Sequence, residues 1–169
     1  MINALILEEY SIDGVYVAVK WDTKAMEQLA EYFHDKIPEP FPAKDMHTTL
    51  ACSRTYFTHK LSNDVFIAEI DKLHIFKNEK LGHTALVILL KSDSLSKRHE
   101  VIHQDENASY DFDEYKPHIT LSYDVSSMSE EDLKYILSIE FLSKLKEQNV
   151  IIQNGKEYTE KLKDIDSDT

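Results

Sequence analysis

The chain has 169 residues, 42% of them hydrophobic, with a formal net charge of −12 and three glycines, Gly14, Gly82 and Gly155. That is enough chain for one domain with its own core. The charge argues against sequence-independent binding to nucleic acid or an anionic membrane, which depends on Lys and Arg neutralising phosphates. So few glycines exclude the Gly-rich loops that hold nucleoside triphosphates or dinucleotides.

In chain order, GVYVAVKW (residues 14–21) reads as a strand, dense in valine and aromatics. Residues 22–34 follow as a helix, with Asp22 or Thr23 as cap and Ala25, Met26, Leu29, Tyr32 and Phe33 at helical spacing. IPEPFP (37–42) stops it and leads into a strand carrying His47. Next come a possible strand at 64–70, an alternating segment at 72–77, a strand at 84–92 and a helix at 93–104. Then PHITLSY (117–123) supplies another histidine strand. A capped helix starting at Ser129 and a strand at 149–153 complete the pattern, and the acidic tail (163–169) is expected to fray. No apolar run approaches the roughly 20 residues that span a bilayer, and the N-terminus lacks a basic n-region. With Cys52 the single cysteine, the expectation is a cytoplasmic protein without a disulfide or a cysteine-based zinc cage.

The order strand, helix, histidine strand occurs twice. His118 follows His47 by 71 residues, and the same spacing joins Thr49 to Thr120, Leu50 to Leu121, Asp22 to Asp93 and Lys20 to Lys91. Residues 15–19 and 86–90 also match as apolar runs. The reading is one domain over 1–169 with an internal repeat, about 14–53 and 85–124. The two similar lobes bring His47 and His118 together between them.

Side chains two apart on a strand share a face, so each His-x-Thr presents an imidazole beside a hydroxyl. Alone, such a pair is far more often structural than functional. Two pairs at a shared register are different, since one imidazole can take a proton while the other gives one, each worth about 10²–10⁴ in rate. The threonine hydroxyls can hold phosphate oxygens as charge builds. A ribose 2′-OH beside the scissile phosphate would be a built-in nucleophile, giving a 2′,3′-cyclic phosphate. Of the other histidines, His99 and His103 stand four apart on a helix, but E-V-I between them and the lack of a third ligand argue against zinc. No metal and no cofactor is expected.

The strings GVYVAVKWD, HTTL and YKPHITLSYDV resemble the two-histidine (2H) phosphoesterase superfamily, and more specifically the bacteriophage anti-CBASS phosphodiesterase family, in an order covering nearly the whole chain. The resemblance implies an α+β, bilobal fold in which each lobe carries β-sheet flanked by helices around a groove. It implies metal-independent cleavage of 3′–5′ bonds in cyclic di- and trinucleotides by 2′-OH attack, in the host cytoplasm, so that the phage evades immunity. By position, His47 and His118 become acid and base, and Thr49 and Thr120 hold the phosphate. Tyr10 and Phe76 become base-stacking candidates, with Phe76 standing where the family tends to have tryptophan. Glu157, in GKEYTE, becomes an acceptor for a base amino group. Lys116 and Arg54 flank the motifs and can draw in an anion. Two readings stay open beside this one: RNA-end 2′-5′ or 2′,3′-cyclic phosphodiesterase chemistry, which the charge disfavours for a long RNA, and a non-catalytic cyclic-nucleotide sponge, which needs no acid and base.

Overall fold

Alternation fixes the first strand. Val15, Val17, Val19 and then Trp21 are buried, while Tyr16, Ala18 and Lys20 turn the other way. This strand, β1 (Val15–Lys20), opens a computed structural model that describes residues 14–53, 57–106, 108 and 114–161. The remaining elements are α1 (Thr23–Phe33), a 3-10 turn (Ala43–Asp45), β2 (Thr48–Ser53), β3 (Phe66–Asn78), β4 (His83–Lys91) and α2 (Asp93–Gln104). After them come β5 (His118–Ser122), α3 (Glu130–Ile136), α4 (Ile139–Lys146) and β6 (Ile152–Lys161). Tyr10, Arg54 and the tail lie outside the described residues. None of the described helices is long and apolar enough to cross a membrane.

The strands form one antiparallel sheet in the order β2-β1-β6-β3-β4-β5. The fold is α+β as expected, and its two lobes are the halves β2-β1-β6 and β3-β4-β5 of that sheet. One face carries the core. Val17 and Val19 of β1, Phe66 of β3, Ile88 of β4 and Ile119 of β5 join Leu29 and Phe33 of α1, Leu95 and Ile102 of α2 and Phe141 and Leu145 of α4 in a single buried cluster. Burying one such side chain is worth about 1.5–3 kcal/mol, so this cluster is the main stabilising term.

Helix starts follow local chemistry. Asp22 caps α1 by accepting from Lys24 N (3.4 Å), and Ser129 caps α3 by accepting from Asp132 N (3.1 Å). The second-half helix is capped by Ser92, whose Oγ accepts from Leu95 N (3.2 Å), one residue before the expected start. Helix α4, capped by Ser138, was not anticipated.

Two strands differ from expectation for identifiable reasons. The separate segments at 64–70 and 72–77 are one strand, β3, with a bulge between Ile70 and Lys72. The extra residue, Asp71, shifts the alternation by one, which splits a single strand into two patterns in the sequence. The C-terminal strand starts at Ile152 and runs through GKEYTE, later and longer than 149–153. Its core-facing positions include Gly155 and Glu157, so it carries little apolar signal. Gly155 is required there: a Cβ would lie 2.7 Å from the Trp21 ring and from Val19 Cγ1.

Candidate active site

Register places the functional side chains. Thr49 pairs with Ala18, and Ala18 with Tyr158, so Thr49, Tyr16, Ala18 and Tyr158 share the face opposite the core. In the other half His118 pairs with Leu89 and Thr120 with Val87; these pair in turn with Lys72 and His74 of β3. His118, Thr120, Lys72, His74 and Phe76 therefore occupy that same face, hereafter the histidine face.

Both histidine strands are sheet edges, and each bulges just after its threonine. Leu50 drops out of register between Thr49 and Ala51, and Leu121 between Thr120 and Ser122. The freed backbone groups are taken up from the opposite half. His99 Nδ1 of α2 donates to Leu50 O (2.8 Å), and Tyr115 Oη donates to Thr49 O (2.7 Å). Conversely Phe41 N donates to Leu121 O (2.8 Å), and Ser122 Oγ to Pro38 O (2.8 Å). Strands β2 and β5 also contact each other directly, bringing the two ends of the sheet together.

The two histidines are held in the same way. His47 Nδ1 donates to Asp45 O and His118 Nδ1 to Lys116 O, both at 2.8 Å. A carbonyl only accepts, so each Nδ1 carries the hydrogen, and Nε2 is the nitrogen left for chemistry. Burial pushes His47 down to about 4, from an ordinary 6.5, with His118 adding to the effect, and burial pushes His118 down as well. Both rings are neutral in the free protein near pH 7.

Their neighbours differ. His47 Nε2 and Thr49 Oγ1 both lie 2.7 Å from the hydroxyl of Tyr16, a residue the sequence reading left inside an apolar run. His118 instead packs edge-on against Phe76, ring centroids 5.0 Å apart, and Phe76 packs the same way on His74. Burial, then Lys116 and Lys72, push the His74 imidazole below its ordinary value. Lys20 acts on His47 in the same sense. A chain of net charge −12 thus places lysines beside His47 and His74, a local field suited to an anion.

The structure brings His47, Thr49, His118, Thr120 and Phe76 to one face. It does not bring Glu157 there. Glu157 pairs with Val19 and so points to the core face, its side chain fully buried. Arg98 Nε donates to Oε1 (2.7 Å) and Arg98 Nη2 to Oε2 (2.9 Å). His59 Nε2 at 2.7 Å and Ser62 N at 3.0 Å complete its shell. The acceptor role expected for it is taken up inside the protein. His99 and His103 likewise spend their Nδ1 atoms on Leu50 O and His99 O. Among the described residues no group of three or more His, Cys, Asp or Glu side chains is arranged to hold a metal ion.

A family model described as "Anti-CBASS protein Acb1" matches residues 13–168. Relatives of that name include one from Acinetobacter phage Ac42, 35% identical over 122 residues, covering 68% of this chain and 76% of the relative. Another, from Enterobacteria phage T4, is 36% identical over 118 residues, covering 69% and 76%. Among solved structures, E. coli LigT complexed with 3'-AMP aligns at 18% identity and a TM-score of 0.46, over 68% of this chain and 74% of that one. From the match along nearly its whole length and the identity to these phage proteins, the chain belongs to the Acb1 family of anti-CBASS proteins.

Proposed function

We propose that this protein is a phosphodiesterase that opens 3′–5′ bonds of cyclic di- and trinucleotides in the host cytoplasm, blunting an antiviral response those messengers trigger. The observation that carries the proposal is the matched anchoring of the two histidines: each gives its Nδ1 hydrogen to the carbonyl two residues before it, so that Nε2 is the exchanging nitrogen in both, that of His47 resting on the Tyr16 hydroxyl. Family membership supplies the substrate class.

In this reading one neutral imidazole removes the proton of a ribose 2′-OH as its oxygen attacks the adjacent phosphorus. The other, protonated, delivers its proton to the departing 5′-oxygen. Thr49 and Thr120 donate to the non-bridging oxygens, and the first product is a linear nucleotide ending in a 2′,3′-cyclic phosphate. Phe76, beside His118, is the base-stacking surface, with Tyr10 in the same role from the N-terminal segment. The shared offset of the two His-x-Thr strands and their bulges is read as an internal duplication.

The test is incubation with 3′,3′-linked cyclic GMP-AMP in excess EDTA, with products resolved by mass. Linearisation through a 2′,3′-cyclic phosphate is expected, with each of His47→Ala and His118→Ala slowing the single-turnover rate by about 10²–10⁴. A substrate lacking the 2′-OH next to each 3′–5′ phosphate should stay intact. Its rapid cleavage, or intact cyclic GMP-AMP with the wild type, would sink the proposal.

A further inference from the structure

The Tyr16 hydroxyl sits 2.7 Å from His47 Nε2 and 2.7 Å from Thr49 Oγ1, and the hydrogens of this chain can be counted. His47 Nδ1 must donate to Asp45 O, so in the neutral ring Nε2 has only a lone pair. Tyr16 then donates its single hydrogen to Nε2 and can only accept from Thr49. The one hydroxyl hydrogen of Thr49 is thereby committed to Tyr16, and Thr49 has none to offer a phosphoryl oxygen.

Adding one proton to Nε2 reverses the chain. Nε2–H now donates to Tyr16 Oη, Tyr16 turns its hydrogen to Thr49 Oγ1, and the Thr49 hydrogen is released outward. We infer that Tyr16 is a positioning residue that couples the protonation of His47 to the donor capacity of Thr49, so that a tetrahedral oxyanion reaching the histidine face draws a proton from solvent onto His47 and gains the Thr49 hydrogen bond in the same event. The inference deepens the proposed function, since it takes Thr49 as a phosphoryl ligand from that reading.

Among the described residues the second half lacks the device. The positions on β4 that share the histidine face near Thr120 are Ala85 and Val87, neither with a hydroxyl, and the neighbour of His118 is the Phe76 ring. The Thr120 hydroxyl has, among the described residues, no partner linking it to His118, which makes His118 an internal control. The charged and titratable groups among the described residues that act on the relay are Lys20 of β1 and His118 of β5 on His47, and Tyr158 of β6, Cys52 of β2 and Tyr123 on Tyr16. Asp45, next to the His47 anchor, acts on Tyr123. Among these, Lys20 and a protonated His118 oppose the proton on His47, and the arriving anion offsets them.

Linkage is reciprocal: an anion that binds better when His47 is protonated must raise the proton affinity of His47 by the same factor. The experiment follows the ring nitrogens of His47 and His118 by ¹⁵N NMR through a pH titration of the full chain, with and without saturating sulfate, a tetrahedral dianion that does not titrate in this range. In the wild type, sulfate should raise the proton affinity of His47 about tenfold. In Tyr16→Phe that rise should fall to less than half, with the His118 response unchanged. Thr49→Val, which breaks the other end of the chain, should cut the His47 response in the same way and decides the matter if Tyr16→Phe does not fold. An undiminished His47 response in these variants, or no response to sulfate in the wild type, would overturn the inference. No turnover is involved, so the two readings fail separately. Sulfate coupling without cleavage of cyclic GMP-AMP removes the substrate assignment alone, and cleavage without coupling removes the relay alone.

Discussion

Two polar clusters lie on opposite faces of the same sheet and are built on opposite terms. On the core face, Glu157 is saturated: Arg98, His59 and Ser62 N fill its carboxylate, and Glu106 pairs with His59 at 3.1 Å. Its charge is matched by a fixed cation, and Arg98 together with these donors holds the carboxyl below its usual range against burial. On the histidine face, by contrast, two half-buried imidazoles are kept neutral by burial, with lysines rather than carboxylates nearby. A cluster whose carboxylate is filled by donors holds a fold together; one that sets two neutral imidazoles beside threonine hydroxyls in a local positive field is equipped to meet an anion. Depth of burial alone separates them poorly, since both contain buried titratable groups.

The largest effect that sharpens this contrast is removal of Glu157. Glu157→Ala removes the two short hydrogen bonds of Arg98, whose side chain is 14% exposed and keeps only the longer 3.8 Å pair with Glu106, and should cost about 1–3 kcal/mol of unfolding free energy, read as a lower urea midpoint. The KM for a cyclic dinucleotide should hold. A raised KM with full stability would break the comparison and return Glu157 to the substrate.

Next in size, Phe76→Ala should do the reverse, weakening substrate binding by about 1–3 kcal/mol through loss of stacking, seen as a raised Kd on a His118→Ala background. The melting temperature should move little, since Phe76 is only half-buried.

The smallest effect is spread over pH. A histidine whose folded value is depressed, such as His47 at about 4 against 6.5, binds more proton unfolded than folded. Stability should therefore fall as pH drops from 6.5 toward 4. Glu157, lowered from 4.5, loses its contribution only below that, as pH falls through its folded value. Urea melts across this range should show two steps, with Glu157→Ala erasing the lower one alone. A single step shared by both proteins would show that the faces titrate together.

The sequence carried the parts of the molecule that rest on period and offset. Strand β1, helix α1 and the two histidine strands were legible because their apolar residues alternate or recur at helical spacing, and because His-x-Thr repeats at one register. What stayed hidden depends on bulges and on partners distant in the chain. Asp71 broke the alternation of β3 into two apparent segments. Strand β6 was obscured because its core face uses Gly155 under Trp21 and an ion pair where apolar residues would announce a strand. Tyr16 escaped because an aromatic in a valine-rich strand reads as core, and only the pairing of β1 with β2 turns its hydroxyl toward His47. The one available signal was period: Tyr16 is out of phase with Val15, Val17 and Val19.

The bulges at Leu50 and Leu121 also bear on how a ligand gets in. Each releases a main-chain carbonyl, and each carbonyl is claimed by the other half, Leu50 O by His99 and Leu121 O by Phe41 N. Opening the halves like a clamshell would tear these hydrogen bonds from the very strands that aim the imidazoles, leaving buried carbonyls without donors at about 1–3 kcal/mol apiece. The two edge strands thus act as a clasp. Separating the halves therefore carries the cost of both hydrogen bonds, which favours a fixed relative pose of the two histidine strands.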